Sequence, residues 1–419
     1  VRREGVLRLG AIHGHDQNVT FLLDQGVGWA HGSIETRSNL ALNRLASPGR
    51  TCSDREMKLE DIDLADPDNF VAGTPHHWLK ELRTRDPVHW HPEKNGPGFW
   101  CVTKYEDVKT ISRDPLLYSS WLGGTNIEDR DETSLAGIRM LMLNMDPPQH
   151  VKFRRIVQRG FTPQMVAKQE DYLRGLAGRI VDGVAHKGEC EFVGELAAEL
   201  PLQVICELMG VPQEDRKLIF ELSNKLIGFD DPEFQNSEAD AREASAQMFG
   251  YAMKLAERYR KEPADNLTTA LLFHEIDGEK LSELEYCSFF LLLLVAGSET
   301  TRTVTTNGMK ALLDHPDQLA RLVANPGLVP QAVEEFVRFD PAVHYFRRTA
   351  TRDTELRGRR IEKGQKVVMW YPAANRDEDV FVDPDRFDIG RVDNPHLAFG
   401  IGEHFCLGAN LARLELVVV

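Results

Sequence analysis

Near the end of the chain stands Phe399-Gly400-Ile401-Gly402-Glu403-His404-Phe405-Cys406-Leu407-Gly408, followed by the helical pattern ANLARLEL. A cysteine by itself is most often a small buried apolar residue. Here it sits in the frame F-x-x-G-x-x-x-C-x-G, which a chain of this composition would produce by chance in ~0.002 of shufflings. The residue types suit a thiolate that ligates a metal. Its negative charge needs tempering, and the N–H groups at the start of the following helix can point at the sulfur. Gly402 and Gly408 have no Cβ, so backbone can approach a flat ligand closely. Phe399 can pack against such a ring, and His404 can donate to an acidic group on its edge.

Four other constellations accompany it. The apolar stretch around 282–314 opens with Ser282 and Glu285 in capping-box spacing and predicts a helix about 50 Å long. Its middle reads Ala296-Gly297-Ser298-Glu299-Thr300-Thr301, a run of poor helix formers where local rules are broken, which points to function. Asp146-Pro147-Pro148 begins a second helix, with Asp146 as its expected cap and with His150 and Arg154 four apart on one face. Glu335 and Arg338 form an E-x-x-R on a short helix, followed later by Pro384-Asp385-Arg386-Phe387. Between them lies Phe346-Arg347-Arg348-Thr349-Ala350.

Taken together, these segments resemble the cytochrome P-450 family of haem-thiolate monooxygenases, with a likeness running from about Asp61 to the last residue. The resemblance implies haem b held by the Cys406 thiolate, with His150, Arg154, Arg348 and His404 around its propionates and Ala296 against the ring. It selects Arg348 over Arg347, because the family's arginine stands two before an alanine. It implies that Gly297 opens room for dioxygen while Glu299 and Thr300 deliver protons, and that Glu335, Arg338 and Arg386 form a structural triad. Val343, Tyr345 and Phe346 are the expected substrate-pocket residues. Within the family, SRDPLLYSS, MLNMDPPQH, RGFTP, ELPLQVICELMGVPQEDR and DGEKLS are similar to bacterial enzymes that hydroxylate steroid side chains and methyl-branched lipids. The implied reaction hydroxylates an unactivated C–H of a hydrophobic substrate with O2 and two electrons. A terpene or alicyclic substrate is the alternative. No flavin or nicotinamide module is visible, so electrons are expected from a ferredoxin and its reductase, docking near Lys152, Arg155 and Arg159. A haem-based sensor, a peroxide-driven hydroxylase and a non-catalytic haem-binding fragment are the competing readings. The Glu299-Thr300 pair argues against the first two.

The elements that position these residues are mostly helical. Helical patterns run at roughly 150–160, 164–186, 240–262 and 282–314; HHWLKELRTRDPVHW reads as helix then strand, GFWCVTKYEDVKTISRD as strand then helix, and strands return at Thr354 to Tyr371. The predicted class is mainly α with small β-sheets; the resemblance implies a triangular helical prism enclosing haem. Residues 1–58 read as an N-terminal extension and 59–419 as the haem domain. The chain stops inside a helical pattern shortly after Cys406, so the C-terminus is expected to be cut short, with poor haem retention. With 65 acidic against 50 basic residues the net charge is −15, which disfavours nucleic acid and anionic membrane as partners. Six scattered cysteines suit a reducing compartment, and FFLLLLVAG at 289–297 is about half the ~20 residues that a membrane span needs. A cytoplasmic monomer without a membrane anchor is the expectation.

Overall fold

The computed structural model describes residues 8–13, 19–24, 57–227 and 238–419, apart from 274, 276, 277 and 279. Its axis is the helix Glu283–Asp314, 32 residues long. The helix begins where expected: Glu285 N–H donates to Ser282 Oγ at 3.2 Å, and Ser282 N–H donates back to the Glu285 carboxylate at 2.8 Å. Reciprocal capping of this kind satisfies two backbone donors that would otherwise be orphaned. Tyr286, Phe289, Phe290 and Leu294 bury its first half against Phe153, Leu173, Ile205, Met209, Met248 and Leu255 from surrounding helices. The unfavourable hydroxyl run in its second half is absorbed locally. Ser298, Thr300, Thr303, Thr305 and Thr306 each donate to the carbonyl four residues back, so the helix continues through them without interruption.

Other predicted elements appear close to their expected bounds: helices His76–Arg85, Tyr105–Arg113, Gln149–Val157 and Glu238–Lys261. The expected 164–186 helix is two, Pro163–Ala167 and Glu170–Ala185. Asp146 does not cap the Gln149–Val157 helix. Its carboxylate instead accepts from the backbone N–H groups of Ser120 and Trp121 at 2.7 and 3.3 Å and from the Ser119 hydroxyl.

Among the described residues the strands form three small sheets. β1 (Arg8–His13), β2 (Val19–Asp24) and β6 (Glu189–Glu191) make an antiparallel set, so two segments of the first 58 residues are strands. The rest of that stretch lies outside the described residues. The main sheet has the order β3-β4-β10-β7-β5, from Val88–His91, Phe99–Val102, Lys366–Trp370, Tyr345–Ala350 and Tyr118–Ser119. β8 (Thr354–Leu356) and β9 (Arg359–Ile361) pair as a hairpin. Within β10 all five residues are buried, as befits a central strand covered on both faces. No helix among the described residues is long and apolar enough to cross a membrane.

Candidate active site

Cys406 is placed by its neighbours on both sides. Its N–H donates to the Phe399 carbonyl at 2.8 Å, closing the loop. Two residues on, Gly408 is the N-cap of the C-terminal helix Ala409–Val418, with its N–H near enough to the sulfur to favour the thiolate. Burial pushes the Cys406 thiol pKa up, while the Gly408 N–H, Arg154 and Arg413 pull in the opposite direction. Gly402 is needed for a different reason than close approach to a flat ligand. Its φ is +78°, and a Cβ there would lie 2.6 Å from the Ser112 carbonyl oxygen, so the clash is with the end of the Tyr105–Arg113 helix. A Cβ on Gly408 would meet no protein atom within 4 Å.

Against the cysteine loop stands a cluster of nitrogen donors. The imidazoles of His150 and His404 lie 4.1 Å apart, centroid to centroid. Burial, then the neighbouring arginines, depress both: His150 to about 4, and His404, which also faces His150, to about 2. The buried Nε2 of His404 and the buried Nδ1 of His150 have no partner among the described residues. Arg154 donates to the Phe405 carbonyl at 2.6 Å and so holds the cysteine loop as well as facing this cluster.

The two arginines of β7 separate to opposite faces of the sheet. Side chains alternate between faces along a strand. Arg347 points to one side, where Asp129 and the carbonyls of Ile127 and Glu128 take up its guanidinium. Arg348 points to the other and donates to the Arg347 carbonyl at 2.8 Å, with no carboxylate within ion-pair distance among the described residues. Burial pushes its pKa down, opposed by Tyr371 and Asp146. A guanidinium only 4% exposed and lacking an anion is costly. Two arginines with two neutral, part-satisfied imidazoles therefore fit a ligand that brings its own carboxylates.

The same alternation corrects one pocket assignment. Phe346 shares the Arg348 face, and with Val343 it packs in the cluster that includes Ile401 of the cysteine loop. Tyr345 is on the Arg347 face, with its ring 5.2 Å from that of Trp370 in a separate cluster with Leu79 and Leu82. It belongs to the core beneath the sheet and not to the pocket.

On the long helix Ala296 is exposed, and Glu299 and Thr300 are part-exposed between the buried Ser298 and Thr301. Glu299 pairs with Arg302, which also reaches Asn224 at 3.5 Å. Burial raises the Glu299 pKa and Arg302 opposes it. The Thr300 hydroxyl donates to the Ala296 carbonyl at 2.7 Å, leaving its oxygen free to accept. Gly297 does not open space here: a Cβ on it would sit 3.1 Å from the Ile205 side chain, so this glycine allows helix Glu199–Met209 to pack closely.

The expected structural triad is formed with one change of member. Arg338 donates from Nε and Nη2 to Glu335 at 2.7 and 2.8 Å, both side chains being fully buried. The second arginine on Glu335 is Arg391, at 3.1 Å, joined by Asn394 at 3.2 Å. Arg386 has an exposed side chain and contributes only its carbonyl, which accepts from Arg338 and Arg391. Nothing local marks Arg391, because it reaches Glu335 only after the intervening loop has folded back.

A thiol on a glycine-bounded loop, facing nitrogen donors that await carboxylates, beside a long helix carrying an acid and an alcohol, defines a haem-thiolate site. The cytochrome P450 family model matches residues 198–419, and the chain belongs to that family. It is 43% identical over 370 residues to a steroid C26-monooxygenase of Rhodococcus jostii, covering 86% of this chain and 78% of that one. It is 45% identical over 377 residues to a methyl-branched lipid omega-hydroxylase of Mycobacterium tuberculosis, covering 87% of each. Among solved structures, a Mycobacterium marinum cytochrome P450 in complex with pseudoionone matches with a TM-score of 0.77 at 38% identity, over 84% of this chain and 88% of that one. A Bacillus megaterium relative in complex with testosterone matches with a TM-score of 0.73 at 30% identity, over 82% and 89%. The chain is thus a cytochrome P-450 monooxygenase that uses haem with a cysteine thiolate ligand and acts on a hydrophobic substrate with O2 and an external electron supply.

Proposed function

We propose that this enzyme hydroxylates the side chain of a steroid or a methyl-branched lipid, with Cys406 as the thiolate ligand. The observation that carries the site assignment is the convergence of Cys406, Arg154, Arg348, His150 and His404 around partnerless donors. The substrate class is supported by the relatives' named activities and by the apolar Val343 and Phe346 on the Arg348 side of β7. The haem, when bound, supplies the oxygen-activating chemistry. His150, Arg154, Arg348 and His404 hold its propionates, and Phe399 and the Gly408 N–H order the sulfur. Glu299 and Thr300 would move protons: the Thr300 oxygen can accept from water, and Glu299 can exchange protons once it swings from Arg302. A terpene or alicyclic substrate is the second reading, supported by the relative bound to pseudoionone.

Electrons come from a ferredoxin and its reductase, and the enzyme works as a cytoplasmic monomer. Lys152 and Arg155 are exposed on the helix that carries Arg154, which supports docking of an acidic partner there; the Arg159 side chain lies outside the described residues. The test is titration of the ferric protein with sterol-3-ones, branched lipids and small polar molecules while following the Soret band. Sterols or branched lipids should drive the high-spin shift; a response to small polar molecules alone overturns the substrate class. In parallel, Thr300→Val should consume reductant but release more peroxide, and unchanged coupling removes Thr300 from proton delivery.

A further inference from the structure

Glu334, Arg413 and His396 form a cluster beside the cysteine loop that none of the roles above employs. Glu334 precedes the triad glutamate on the helix Val329–Phe339 and points to its own partners. Arg413, on the C-terminal helix, grips it with two prongs, Nε to Oε1 at 2.6 Å and Nη2 to Oε2 at 3.0 Å. His396 adds a third contact. The Ala398 N–H donates to its Nδ1, so its proton is on Nε2, which donates to Glu334 at 3.0 Å. The Arg413 guanidinium then lies over the Phe399 ring, 4.5 Å from its centroid, and the His396 ring is 5.8 Å from Phe399. Phe399 is the residue whose carbonyl accepts the Cys406 N–H.

Two consequences follow for the sulfur. The bidentate pair fixes the Arg413 plane, and the stacked cation fixes the Phe399 ring and through it the loop. Arg413 also sets its positive charge against the ring of the residue whose carbonyl accepts the Cys406 N–H. Burial disfavours the Glu334 carboxylate, but hydrogen bonds from His396 and Arg413 hold its pKa at about 2. At neutral pH the pair is therefore nearly neutral, and removal of either member leaves the other's charge unbalanced beside the loop.

We propose that Glu334 and Arg413 are positioning residues that set the reduction potential of the haem iron, through the charge they present to Cys406 and through the Phe399 ring they hold. This rests on the reading that Cys406 is the haem ligand. The experiment measures the ferric–ferrous midpoint potential and the CO-ferrous Soret band of the holoenzyme and of its Arg413→Gln, Glu334→Gln and Arg413→Lys variants. Arg413→Gln should lower the potential, because a cation that stabilises the reduced centre is lost. Glu334→Gln should raise it. Arg413→Lys keeps the charge but loses the two-pronged grip that holds it over the ring, so its potential should shift less than that of Arg413→Gln, and it should convert faster to the form with protonated thiol. Potentials that stay unchanged, or that move the same way in Arg413→Gln and Glu334→Gln, overturn the proposal. Should Arg413→Gln fail to retain haem, the rise in Glu334→Gln decides alone, and its absence overturns it. A parent protein without the red-shifted thiolate band would overturn the Cys406 reading instead.

Discussion

Glu415, on the C-terminal helix, is 2% exposed, and its Oε2 has no hydrogen-bond partner among the described residues. Burial alone pushes its pKa up to about 8 from 4.5. Between those values the native state keeps a proton that the unfolded chain has released, so stability falls as pH rises through this window. The slope reaches at most about 1.4 kcal/mol per pH unit. Glu415→Gln should remove it: denaturant unfolding from pH 5 to 8 should show parent and variant diverging as pH increases, and parallel curves would mean that the native carboxyl is ionised. The same physics marks His150 and His404, each with a buried nitrogen that has no partner among the described residues, and Arg348, which has a carbonyl but no carboxylate there; in the proposed function the haem propionates would complete them. At Arg347, one residue away, Asp129 supplies the anion, which is why adjacent arginines have unrelated roles.

At the scale of the element, β7 divides its residues between two cores, and its alternation makes opposite forecasts for neighbours. Tyr345→Ala removes a part-buried ring packed at a tilt against Trp370 and should cost up to roughly 3 kcal/mol of stability. It should leave the spectral affinity for substrate unchanged. Phe346→Ala, on the Arg348 face, should weaken substrate binding. Paired thermal melts and Soret titrations check both, and a binding defect confined to Tyr345→Ala would reverse the face assignment. The long helix makes a complementary point. Its capping box and apolar run are local, and both are found as expected, whereas the reason for Gly297 lies in Ile205 on another helix.

For the whole molecule, the ties that matter join segments far apart in the chain. Glu335 receives Arg338, Arg391, Asn394 and the Asp388 N–H, so one buried carboxylate fastens the Val329–Phe339 helix to the segment that leads into the cysteine loop. Breaking a buried pair from one side leaves an uncompensated charge and costs about 3–5 kcal/mol. Arg391→Leu should therefore lower the unfolding midpoint sharply. Arg386→Ala should stay within about 0.5 kcal/mol of the parent, because its side chain is exposed and its carbonyl remains. Equal effects of the two would return Arg386 to the triad.

The sequence by itself determined whatever depends on short spacing. The cysteine frame, His150 and Arg154 on one helix face, the Ser282–Glu285 cap, the Glu335–Arg338 pair and the mainly helical class are all legible within a few residues, because helix and strand periods fix which neighbours share a side. The likeness to a known family singled out Arg348, and the strand's alternation gives that choice its physical sense. Only the tertiary structure decided that Arg391 replaces Arg386, that Gly402 yields to Ser112, and that Glu334 reaches Arg413. Those contacts span from about fifty to nearly three hundred positions by the numbering of their partners. No local pattern carries them, since their partners meet only when burial of the apolar surfaces has brought distant segments together.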